Sequence, residues 1–130
     1  MTTTQHPVRH WQAGGLAVVV AAAATTLMAL VGRSLGVPLE IDGEPIALAA
    51  FPVFTVIAGV LGIALALVVN GRVRRPRRVF VTATLVLTAL SLVPDLLVQV
   101  STGSRILLML THLAAAAIVI PAVSRRLPAA

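Results

Sequence analysis

The sequence has no cysteine, no lysine and no tyrosine, and its 130 residues include one tryptophan and three phenylalanines. Because cysteine is absent, a disulfide scaffold, thiol chemistry and a cysteine-ligated zinc site are excluded. Charged residues make up 11% of the chain, whereas soluble domains carry about 25%. Hydrophobic residues make up 58% and stand in long blocks rather than periodic stripes. This composition excludes an ordinary globular enzyme and a disordered tail, and it indicates a polytopic membrane protein.

Four apolar segments are separated by three short polar loops, and each segment has about the 20 residues that a helix needs to cross a bilayer. A lone strand leaves its backbone unpaired in lipid, and the segments lack the alternation of a membrane β-barrel. We therefore predict an all-α integral membrane bundle of four transmembrane helices, which forms a single domain over residues 13–126. The predicted helices span about 13–32, 46–69, 79–98 and 106–123, between an N-terminal tail at 1–12 and a C-terminal tail at 127–130.

The charges predict an orientation. All ten basic residues are arginines, and eight of them fall on one side of the predicted membrane: Arg9, Arg72, Arg74, Arg75, Arg77, Arg78, Arg125 and Arg126. The other side holds Arg33 and Arg105 together with all four acidic residues. By the positive-inside rule both termini are cytoplasmic, and we expect a multi-pass protein of the bacterial plasma membrane. The first apolar run is longer than the core of a usual signal peptide, so we expect it to remain uncleaved.

The loop between the first two helices contains Asp42-Gly43 between two arms that contain isoleucine. This dipeptide is typical of a two-residue β-hairpin turn. Pro45 has no amide hydrogen to donate, so any ladder is short. We predict a small extracytoplasmic hairpin or ordered turn that lies over the helix ends.

Small residues recur every four positions in the first helix, at Ala13, Ala17, Ala21, Thr25 and Ala29, and in the second, at Ala58, Gly62 and Ala66. In lipid such faces allow helices to approach closely. Packing within the bundle is the favoured interpretation, and a dimer interface is the alternative.

His112 is the only histidine outside the N-terminal tail. The third predicted helix offers Thr88 and Ser91 at a similar depth, with Asp95 one turn further out. Ionisable residues inside a membrane mark proton relays or ligand sites, although a neutral histidine bonded between helices is commoner. These four residues form the candidate intramembrane polar site.

Two charged clusters lie outside the predicted spans. Glu40, Asp42 and Glu44, with Asp95, offer the oxygen ligands of a divalent cation, but a solvated acidic rim is the commoner arrangement, and no metal is expected. The second cluster is the arginine-rich loop. It lacks aromatic residues to stack on bases, so lipid headgroups rather than nucleic acid are the expected contact of Arg72, Arg74, Arg75, Arg77 and Arg78.

No motif for catalysis or for a cofactor is present in the sequence. The chain has no glycine-rich phosphate loop, no zinc spacing and no intramembrane carboxylate pair. Ser91, His112 and Asp95 supply the residue types of a catalytic triad, but without the context of a nucleophile elbow. Haem held by two histidines would need a second intramembrane histidine. We therefore predict a protein that is not an enzyme and has no cofactor.

Four blocks of sequence resemble an uncharacterised family of small four-helix membrane proteins from actinobacteria, known as a domain of unknown function. The resemblance runs from about Ala13 to Pro128. Its blocks are Glu40-Ile-Asp-Gly-Glu-Pro-Ile46, Arg74-Arg-Pro-Arg-Arg78, Thr88-Ala-Leu-Ser-Leu-Val-Pro-Asp95 and Leu110-Thr-His-Leu-Ala-Ala-Ala-Ala-Ile-Val-Ile-Pro121. It supports the topology and implies no functional residues. Small multidrug exporters need a carboxylate inside the first helix, and quinone reductases need paired cysteines, and the chain has neither.

The sequence therefore predicts a non-enzymatic helix-packing protein that acts as a homo-oligomer or as a subunit or modulator of a membrane complex. The alternative is a small transporter or proton-linked permeation unit that uses His112 with Ser91 and Asp95. The expected partners are membrane lipids and a second copy or another membrane protein.

Overall fold

The computed structural model describes residues 7–129, with side chains from residue 12 onward. The elements in chain order are α1 Pro7–Ser34, β1 Glu40–Ile41, β2 Glu44–Pro45, α2 Ala50–Arg72, α3 Pro76–Leu97 and α4 Thr102–Ser124. Each helix, with α1 counted from Gln12, is long and apolar enough to cross a membrane. The predicted all-α fold with four candidate membrane helices is confirmed.

Three helices extend further toward the N-terminus than the sequence predicted. Helix α1 is described from Pro7, inside the predicted tail; residues 1–6 lie outside the described part of the chain. Helix α4 begins at Thr102 instead of about 106, because the Ser101 Oγ accepts a hydrogen bond from the Ser104 amide at 3.2 Å and so caps the helix. Helix α3 likewise begins at Pro76 rather than 79.

Helix α2 begins at Ala50, four residues later than predicted, because the hairpin occupies the preceding segment. The Ile46 amide donates to the Leu39 carbonyl at 2.7 Å, which extends the pairing of β1 and β2 by one step. The turn residues Asp42 and Gly43 have φ values of 53° and 83°, the left-handed conformations of a type I′ turn. The predicted two-residue hairpin is confirmed.

Each helix packs against its neighbours in the sequence, and α4 closes the bundle against α1. The predicted small-residue face of α1 is buried in this packing at Ala17, Ala21, Thr25 and Ala29, and Ala13 is half-buried. Thr25 also shares a hydrogen bond of 3.0 Å with Thr55 of α2. The face therefore packs within the bundle.

The buried face of α2 differs from the predicted one. Ala58 is exposed and Gly62 is half-buried, whereas Gly59 is buried against Val18 of α1. The true face repeats through Phe51, Gly59, Ala66 and Val69. Of the three small residues predicted for this face, Ala66 alone is fully buried.

Two apolar clusters hold the ends of the bundle. One contains Ala66, Val69, Phe80, Val123 and Leu127, so part of the predicted C-terminal tail packs into the bundle. The other contains Ala29, Leu39 and Phe51 and places the hairpin over the opposite end. The Asp42 amide fixes the hairpin further by donating to the Gln99 carbonyl at 3.1 Å.

Candidate functional site

The structure joins two of the four predicted polar residues directly. The Nδ1 atom of His112 lies 2.6 Å from Oδ2 of Asp95, which links α4 to α3. An ionised carboxylate only accepts hydrogen bonds, so with Asp95 in that form Nδ1–H is the donor. The bond holds the imidazole ring of His112 in one direction.

Thr88 and Ser91 do not join this pair. The Ser91 hydroxyl donates to the Thr88 carbonyl at 2.6 Å, and the Thr88 hydroxyl donates to the Thr84 carbonyl at 2.7 Å. Both hydroxyls thus bond to the preceding turn of α3, a usual arrangement for such residues in a helix. A triad-like arrangement of Ser91 with His112 is absent from the described part of the chain.

Asp95, near the C-terminal end of α3, can reach the middle of α4 because the segment that joins the two helices is not helical. Asp95 stands two residues before the end of α3, and residues 98–101 continue without helix up to Thr102. His112 lies ten residues into α4, about 15 Å from its first residue and about 18 Å from its last. The histidine is therefore near the middle of a helix that is long enough to span a membrane.

The two side chains of the pair differ in exposure. The side chain of Asp95 is 10% exposed and that of His112 is 40% exposed, so the imidazole reaches the outer surface of the bundle between α3 and α4. Among the described residues, the imidazole of His112 has no hydrogen-bond partner other than Asp95. A polar edge that lacks a protein partner thus lies on an otherwise apolar surface, with Leu90, Val93 and Leu113 exposed on the same two helices.

The three acidic residues of the hairpin are separate from this pair. Glu40, Asp42 and Glu44 are exposed on the hairpin, whereas Asp95 points to His112. Over the described residues, no three histidine or acidic side chains come close enough to hold a metal ion.

The arginine-rich loop contains one residue with a different role from the rest. Arg72, Arg74, Arg75 and Arg78 are exposed, but the Arg77 Nε donates to the carbonyls of Ser124 at 3.0 Å and Leu127 at 3.1 Å. Its guanidinium thus satisfies carbonyls at the C-terminal end of α4, where a cation also interacts favourably with the helix dipole. Nothing in the sequence indicates this role, because the five arginines of the loop are equivalent until the position of α4 is known.

The comparisons with known proteins identify a family but no activity. The model of a family of unknown function, DUF6069, matches residues 5–129. Neither the search of curated proteins nor the search of solved structures found a match. The match covers nearly the whole chain, in agreement with the predicted resemblance to a domain of unknown function.

Proposed function

The chain belongs to the DUF6069 family, whose function is unknown, and we propose that it is a non-enzymatic membrane protein that acts by lateral helix packing. In this proposal two copies join at the α3–α4 face around His112. The supporting observation is the imidazole of His112, 40% exposed on the bundle surface halfway along α4. Lipid tails offer no hydrogen-bond partner at that depth, so a polar edge there favours contact with another helix.

A second copy of the chain can supply a hydrogen-bond partner for the exposed imidazole of His112. A two-fold axis along the membrane normal places both His112 side chains at the same depth. With Nδ1–H donated to Asp95, a neutral ring has only an acceptor at Nε2, so a hydrogen bond between the two Nε2 atoms requires that one ring carries a second proton. The Asp95 carboxylate behind that ring balances its charge, and its Nε2–H then donates to the Nε2 atom of the other copy.

Association is tested by Förster transfer between donor- and acceptor-labelled copies in liposomes, over a range of protein-to-lipid ratios. The variant is His112→Leu with Asp95→Leu, which removes the polar edge without leaving an unpaired carboxylate. One interhelical hydrogen bond contributes about 0.5–1.5 kcal/mol, so dimerisation should weaken about two- to tenfold. Leu61→Ala, at an exposed position of α2, is the control that leaves association unchanged. Equal association of the wild type and the double variant would refute the proposed interface.

A second candidate function rests on the same pair of side chains. A histidine bonded to a carboxylate inside a membrane is a unit that proton-linked permeation uses. Under this alternative, Asp95→Asn abolishes proton flux into liposomes that carry a pH-sensitive dye, and Ser91→Ala leaves the flux unchanged because Ser91 bonds to its own helix. Flux no greater than in empty liposomes would remove this alternative.

The proposal places both termini and the arginine-rich loop in the cytoplasm of a bacterial plasma membrane. The support is the excess of arginine on that side of the bundle. Since the chain has no native cysteine, Glu44→Cys and Arg74→Cys each carry a single thiol. A membrane-impermeant maleimide should label Glu44→Cys in intact cells and Arg74→Cys only after permeabilisation. The reverse pattern would overturn the orientation.

A further inference from the structure

A cleft of 440 Å³ lies between the hairpin and the loop that joins α3 to α4. It exists because α3 ends at Leu97 and the chain then runs without helix to Ser101, which leaves space that the hairpin only partly covers. Pro38, Glu40 and Gly43 form the hairpin side of the cleft, and Gln99 to Ser101 with Arg105 form the other side. This cleft is separate from the His112–Asp95 pair.

Arg105 has spare hydrogen-bonding capacity beside this cleft. Its Nη2 atom donates to the Val98 carbonyl at 3.3 Å, whereas its buried Nε has no partner among the described residues. A buried donor without an acceptor destabilises the fold. The planar guanidinium matches the oxygens of a phosphate and binds them in pairs. Arg105 lines the cleft, so a phosphate bound there has this planar cationic group beside it.

Glu40 places an opposite charge on the facing wall. It is exposed on β1, and no ion pair within 4.0 Å joins it to Arg105 in the described part of the chain. Two opposite charges that share a cleft without neutralising each other complement a ligand that carries both charges. The cleft also lies at the end of membrane-spanning helices, where lipid headgroups sit.

We propose that this cleft binds a zwitterionic phosphate ester, with its phosphate at Arg105 and its ammonium at Glu40. The headgroup of phosphatidylethanolamine has this chemistry, and so does soluble phosphoethanolamine. Leu96, Leu97 and Ile106 are exposed at the adjoining ends of α3 and α4, so the acyl chains of a bound lipid can lie along this apolar surface.

The test uses the full chain in mild detergent, equilibrated with equal amounts of phosphatidylethanolamine and phosphatidylglycerol that carry identical acyl chains. Native mass spectrometry counts the bound lipids. The wild type should prefer phosphatidylethanolamine, and Arg105→Gln should retain at least about fivefold less of it. Glu40→Gln should lose the preference between the two lipids. Arg33→Gln, at the same end of the bundle but bonded to the Ile46 carbonyl, is the matched control and should bind as the wild type does.

Added phosphoethanolamine separates the two sources of the ligand. Displacement of the bound lipid identifies a site for the soluble zwitterion, and retention of the lipid identifies a headgroup site. A wild type without lipid preference, or an Arg105→Gln variant that melts like the wild type and binds like it, overturns the proposal. If Arg105→Gln does not fold, the lipid preference of Glu40→Gln tests the proposal by itself. Glu40 is exposed on the hairpin, so this substitution leaves the fold intact.

Discussion

Gly59→Ala should make the bundle about 2 kcal/mol less stable than Gly62→Ala, although the two substitutions are three residues apart on α2. A Cβ at position 59 would lie 2.5 Å from one methyl group of Val18 and 2.8 Å from the other. Valine is stiff at χ1 and Val18 is buried, so the methyl groups cannot turn away and the two helices must separate. Overpacking of this kind is unfavourable by about 1–3 kcal/mol. The measurement is the free energy of unfolding in mixed micelles, followed by circular dichroism as sodium dodecyl sulfate is added.

Gly62→Ala is the matched control for this prediction. Apart from the adjoining backbone of α2 itself, no atom lies within 4 Å of a Cβ at position 62, so this variant reports the gain in helix propensity without a packing penalty between helices. Adding Val18→Ala to the Gly59→Ala chain removes both methyl groups and should restore part of the lost stability. Equal stability of the two glycine variants would show that α1 and α2 do not approach each other closely at this position.

The second large effect concerns the His112–Asp95 pair, whose two partners should be strongly coupled. His112→Leu leaves the buried carboxylate of Asp95 without its donor, and we expect a loss of about 2 kcal/mol. Asp95→Leu preserves the branching of the side chain and leaves only a half-exposed imidazole, so its loss should be smaller. The double variant replaces both polar groups by apolar ones, and it should be more stable than His112→Leu alone. Unfolding in mixed micelles measures all four chains of this cycle.

Independent effects in this cycle would contradict the pairing. If the loss in the double variant equals the sum of the single losses, Asp95 and His112 do not interact in the membrane. Ser91→Ala serves as the control beside the cycle. Its hydroxyl bonds to the Thr88 carbonyl, so it should show no coupling with His112.

The sequence predicted the elements well because each rests on a local property. Run length and composition identified four helices, and the Asp42-Gly43 dipeptide identified the hairpin turn, since both residues need left-handed backbone conformations. The small-residue face of α1 was also correct at four of its five residues, because side chains four positions apart lie on the same side of a helix. Charge counting predicted an orientation, which the labelling of Glu44→Cys and Arg74→Cys tests.

The parts that sequence reasoning missed depend on contacts between distant segments. Helix α2 is apolar on all sides, so nothing in its sequence distinguishes the buried Gly59 from the half-buried Gly62. Thr88, Ser91 and Asp95 all offered hydrogen bonds to His112. The choice of Asp95 follows from the early end of α3, because the two hydroxyls find acceptors within their own helix. The hydrogen bonds of Arg77 to carbonyls at the end of α4 could not be predicted either, because they also join distant segments.

The most direct measurement of the proposed function is disulfide cross-linking of single-cysteine chains in native membranes. Ala116→Cys stands one turn after His112 on the same side of α4, whereas Leu110→Cys stands two residues before it, about 200° around the helix. We expect Ala116→Cys to give a cross-linked dimer of the chain under mild oxidation and Leu110→Cys to remain monomeric. The dimer from Ala116→Cys should diminish when His112 is also replaced by leucine. A dimer formed equally by both cysteines, or by Leu110→Cys alone, would contradict an interface around His112.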